Sequence, residues 1–78
     1  MICLSAMSED EFKKASEFHQ LLKYLTKGSK GILPIDREKF VKMASAYLEM
    51  DLKSTNSLLL KMQKYGLIEI KQDYVAVH

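Results

Sequence analysis

Residues 51–68, DLKSTNSLLLKMQKYGLI, constrain the fold more than any other part of the chain. Wound at ~3.6 residues per turn, Leu52, Thr55, Leu58, Leu59, Met62 and Tyr65 gather on one side of a helix. Lys53, Ser57, Leu60, Lys61 and Lys64 gather on the other, with three lysines, no acid and one leucine. Gly66 is the natural stop, because a chain turning left-handed after a helix favours a residue without Cβ. Leu67-Ile68-Glu69-Ile70 then has the β-propensity of a strand. One amphipathic helix running straight into a strand therefore sets the C-terminal half.

The rest of the chain supplies what that helix packs against. Ser8-Glu9-Asp10-Glu11 is a capping box, a serine cap answered three residues later by a glutamate. It predicts a helix over 9–26, with Gly28 as its stop and Phe12, Ala15, Phe18, His19, Leu22 and Leu25 as its apolar stripe. Leu21 and Tyr24 fall beside that stripe, either as the edge of the core or as a contact face for a partner. Residues 27–31 read as a basic loop without the spacing of a phosphate-binding loop. The short extended run 31–35 contains Pro34, which restricts it to a sheet edge. Asp36 caps a second helix over 37–48, with Phe40, Met43, Ala44, Tyr47 and Leu48 at helical spacing. After a turn at Glu49-Met50, Asp51 caps the third helix. Alternation in Ile68, Ile70, Val75 and Val77 predicts a terminal hairpin around Gln72-Asp73.

The expected fold is α+β: three helices, an edge strand and a two-stranded hairpin in one domain over 9–78. Residues 1–8 form an N-terminal tail, within which Met7 is an alternative start. The order of elements, with the run SLLLKMQKYGLIEI ahead of the hairpin, resembles the winged helix-turn-helix family. The likeness covers roughly residues 12–78 and is most specific at Leu58, Leu59, Met62 and Gly66-Leu67-Ile68. Two features depart from DNA-binding members. The wing is short, with Lys71 and Gln72 near its tip, and Leu60 stands where a polar or basic residue is usual.

The resemblance implies a recognition helix at about 52–65 that enters the major groove of duplex DNA. Its exposed Lys53, Ser54, Asn56, Ser57, Lys61 and Lys64 would meet phosphates and base edges. Arg37 and Lys39 at the start of the second helix, and Lys71 and Gln72 on the wing, would touch the backbone. The chain carries 12 Lys+Arg against 10 Asp+Glu, a net charge of +2 that permits a polyanionic partner without demanding one. The distribution is more telling: from residue 53 to 71 there are four lysines and one acid, Glu69. The expected role is transcriptional regulation, sequence-specific or general, with a homodimer built through the first helix or the tail. The alternative is a protein-interaction module, an adaptor subunit of a replication, transcription or remodelling assembly, using Leu60 and the Leu21/Tyr24 surface.

Other classes find little footing. His19, His78 and Cys3 lack metal-ligand spacing, no nucleophile has a visible base, and Glu9, Asp10 and Glu11 read as a helix start. No enzyme activity, metal or cofactor is expected. A single cysteine excludes an intramolecular disulfide and favours a reducing compartment, so the expected location is cytoplasmic, on the nucleoid if DNA is bound. No run reaches the ~20 apolar residues of a membrane helix.

Overall fold

The computed structural model describes residues 8–78. The tail expected over 1–8 lies, apart from Ser8, outside the described residues, as do Cys3 and the alternative start at Met7. Three helices, α1 (Glu9–Leu25), α2 (Arg37–Leu48) and α3 (Leu52–Lys64), pack with three short strands, β1 (Ile32–Leu33), β2 (Ile68–Ile70) and β3 (Val75–Val77). The sheet is antiparallel in the order β1-β3-β2, so the hairpin strand β3 is central and the Pro34-flanked β1 lies at one edge. This is the expected α+β arrangement of three helices, edge strand and short C-terminal hairpin.

Each helix begins at a side-chain cap that occupies an otherwise unsatisfied backbone N–H. The Ser8 hydroxyl accepts from Glu11 N at 3.1 Å while the Glu11 carboxylate accepts from Ser8 N at 3.2 Å, completing the capping box. Asp36 accepts from Lys39 N at 2.8 Å and Asp51 from Ser54 N at 3.0 Å. The termination of α1 differs from expectation. Gly28 is not the stop; the helix ends at Thr26, whose hydroxyl donates back to Leu22 O at 2.8 Å. The Thr26 carbonyl then accepts from Ser29 N and Gly31 N, both at 3.1 Å, leading the chain through a 3-10 turn (Lys27–Ser29). The left-handed positions are Lys30 and Gly31. Gly31 suits its place because a Cβ there would sit 2.6 Å from Val77 O, where β3 passes.

The core takes Ala15, Phe18 and Leu22 from α1, Phe40, Ala44 and Leu48 from α2, Leu58, Leu59 and Met62 from α3, and Ile68, Val75 and Val77 from the sheet. Phe18 is its hub, with ring centroids 5.9 Å from Phe40 and 5.6 Å from Tyr47. Removing such a ring costs about 3–5 kcal/mol in transfer and cavity free energy. The helix-wheel stripes prove too wide. Phe12, Leu25, Leu52 and Tyr65, all assigned to buried faces, are exposed. They lie at or beside the ends of α1 and α3. Leu21 packs at the edge of the core, whereas Tyr24 stands outside it. His19 is a boundary residue: burial, helped by the nearby Lys23 charge, pushes its imidazole below the usual histidine range.

Candidate nucleic-acid interface

The α2–α3 junction decides which way the proposed recognition helix points. Leu48 ends α2, and Glu49 takes a left-handed conformation (φ 56°) that reverses the chain. The Met50 N–H donates to Ser45 O at 3.2 Å, and the Ser45 hydroxyl returns a bond to Met50 O. From α1, the Lys14 ammonium donates to Leu48 O at 3.4 Å, a cation on the electronegative end of α2. The next helix starts at once on its Asp51 cap. With Thr55, Leu58, Leu59 and Met62 buried, α3 is fixed in rotation about its axis.

That rotation leaves Lys53, Ser54, Asn56, Ser57, Leu60 and Lys64 exposed. Lys53 and Lys64 make no ion pair among the described residues. Asp51 lies at the very start of the helix, where bonds from Ser54 hold its carboxyl below the usual carboxylate range. A carboxylate on those first N–H groups occupies the place a phosphate would take, so anion contact on α3 falls to side chains.

Lys61 departs from the expected outward face. It turns to α1, where its ammonium lies 3.0 and 3.2 Å from the two carboxylate oxygens of Glu11, and only 24% of its side chain is exposed. Glu11 thus serves two helices: it closes the α1 capping box and ties down α3. Lys61, followed by the Ser8 N–H, holds the Glu11 carboxyl below its ordinary value. Lys61 is a positioning cation, and the acid-free description holds for the sequence of α3 but not for its surroundings.

The wing carries a second paired lysine, exposed where the sequence places it. Lys71 lies 3.0 Å from Glu69 across the exposed edge of the hairpin, and each group stabilises the charged form of the other. Gln72 uses its backbone carbonyl to accept from Arg37 N at 3.2 Å, docking the wing tip against the first turn of α2. Between wing tip, α2 and the start of α3 lies an open cleft of about 660 Å³. Asn56 and Leu52 form its α3 wall, and its ionisable lining is mixed: Arg37 and Lys42 against Asp36, Glu38 and Asp73. Lys39, beside it, lies 4.0 Å from Asp36. The structure therefore brings Arg37, Gln72 and Asn56 together around the cleft, and Asn56 is also the cleft-side member of the outward ridge of α3 that carries Lys53, Ser57, Leu60 and Lys64. Leu21 belongs to the core edge of α1, away from the α3 ridge that carries Leu60. Lys42 and Asp73 were missed by sequence reasoning, since only the docking of the wing tip on α2 makes them neighbours.

Among the described residues there is no group of His, Cys, Asp and Glu arranged to hold a metal ion. No helix among them is long and apolar enough to cross a membrane. No protein-family model matches the chain, and no solved structure matches it. The chain is similar to the uncharacterized protein ORF98a of Acidianus two-tailed virus, with 35% identity over 63 residues. The match covers 81% of this chain and 64% of that protein, so the chain spans less than two thirds of its relative's length.

Proposed function

We propose that the chain is a winged helix-turn-helix protein that binds duplex DNA with α3 in the major groove, as a transcriptional regulator. One observation carries the reading. A ridge of α3, held in place by the buried Thr55, Leu58, Leu59 and Met62 on the opposite side, presents Lys53 and Lys64 on either side of Asn56, Ser57 and Leu60, with neither lysine ion-paired among the described residues. The spacing suits the task. Eleven residues of helix separate the lysines by about 16 Å, enough to bracket a major groove about 12 Å wide. Lysines placed this way supply the phosphate attraction that dominates affinity, and the polar side chains between them supply base contacts. Arg37 on α2, which lines the cleft, would add a backbone contact there. The role is binding rather than catalysis.

A labelled mixed-sequence duplex in a fluorescence-anisotropy titration at low salt tests the reading. The wild-type chain should bind, and Lys53→Glu with Lys64→Glu should weaken binding at least about tenfold, since each substitution replaces a phosphate contact with a repulsion. Equal affinity would overturn the reading. The protein-adaptor alternative draws support from Leu60, 57% exposed in the middle of the same ridge. It requires a partner protein whose binding is abolished by Leu60→Glu and kept with Lys53→Gln and Lys64→Gln.

A further inference from the structure

The middle of the α3 ridge carries an unusual pair. Asn56 and Leu60 are four residues apart, so they lie on the same side of the helix one turn from each other, about 6 Å along its axis. Both are exposed, and Leu60 keeps 57% of its surface in water although polar residues surround it. The lysines stand at the two ends of the ridge, and α3 contains no arginine.

Base-edge chemistry gives this arrangement a meaning. In the major groove a carboxamide matches adenine, donating to N7 and accepting from the N6 amino group. An apolar side chain matches only the C5-methyl of thymine. Guanine is read best by arginine, or by a lysine reaching O6 and N7. Along α3 itself the centre of the ridge has no cation and no acid to pair with a guanine or a cytosine amino group, and the charged groups that line the cleft beside Asn56 belong to α2, its Asp36 cap and the wing tip. About 6 Å of helix axis spans roughly one to two base-pair rises of 3.4 Å, so Asn56 and Leu60 fall on neighbouring pairs.

We infer that the α3 ridge selects duplexes with consecutive A·T pairs at the centre of the contact, Asn56 hydrogen-bonding the adenine edge and Leu60 packing on the methyl of a neighbouring thymine. The inference rests on the duplex-binding reading and adds the sequence class to it. Ser54 and Ser57, which can donate or accept, leave the flanking positions permissive. Leu60, an exposed liability in the free protein, becomes the specificity element in the complex.

The test starts from the full chain and a randomised duplex library. Selected sites should carry adjacent A·T pairs at a fixed position. In the best selected duplex, replacing the central thymine by deoxyuridine removes one methyl group and nothing else. Wild-type affinity should fall about fourfold, the worth of one buried methyl. Leu60→Ala should bind the thymine and deoxyuridine duplexes alike, and Asn56→Ala should lose the preference for adenine while still binding. Selection of central G·C pairs, or indifference of the wild type to deoxyuridine, overturns the inference. If Lys53→Glu with Lys64→Glu still weakens binding at least about tenfold in that case, duplex binding itself stands. Failure of the wild-type chain to bind any duplex at low salt overturns both.

Discussion

Lys61 and Lys64 are three residues apart on one helix and have opposite roles. Lys61 faces α1, and its charge is matched by Glu11 at 3.0 Å. Lys64 faces solvent with no carboxylate partner among the described residues. About 60° of rotation about the α3 axis separates a cation that holds two helices together from one available to an external anion. The wing repeats the lesson, with Lys71 matched by Glu69 two residues away in the chain. A lysine's availability thus depends on which element lies beside it. The basic run from residue 53 to 71 divides into an outward pair, Lys53 and Lys64, and two cations already matched at home.

The division can be broken experimentally. The largest effect belongs to the outward pair: Lys53→Glu with Lys64→Glu should cost at least about tenfold in duplex affinity while the thermal midpoint stays within a few degrees. Next comes the inward side. Glu11→Ala removes both the closing half of the capping box and the partner of Lys61, and should lower stability by about 1–2 kcal/mol in a urea titration. Lys61→Met, which leaves the capping box intact, should cost about 0.5–1 kcal/mol and change duplex affinity less than about threefold.

Acid sharpens the same point. The folded-state pKa of Glu11 is depressed, so its contribution is complete above its unfolded value near 4.5 and disappears as pH falls through the lower folded value. Between pH 5 and about pH 3, thermal scans should show the wild type losing more stability than Glu11→Gln. The smallest effect belongs to the wing: Lys71→Ala should change duplex affinity by less than about twofold, because Glu69 beside it offsets part of its attraction for a phosphate.

Much of this was legible in the sequence because it is local. Ser8, Asp36 and Asp51 mark the three helix starts within three residues of the groups they cap. Gly66 (φ 77°) marks the end of α3, and alternation marks the hairpin. What was hidden depends on distant neighbours. The partner of Lys61 lies 50 residues earlier in the chain, beyond the reach of any spacing rule. Phe12, Leu25, Leu52 and Tyr65 fit helical periodicity, but periodicity states a direction around a helix and not how completely a side chain is covered. Thr26 ended α1 through a hydroxyl bond to its own helix, a signal weaker in sequence than the glycine two residues on.

The central claim, that Lys53 and Lys64 face a polyanion while Lys61 serves the fold, is tested most directly by the salt dependence of duplex binding. Affinity would be measured across a salt series for the wild type, for Lys53→Gln with Lys64→Gln, and for Lys61→Gln. Removing one lysine from a phosphate should reduce the slope of log affinity against log salt by about one. The account predicts a slope shallower by about two for the double variant and unchanged for Lys61→Gln. A double variant with the wild-type slope, or a shallower slope in Lys61→Gln alone, would contradict it.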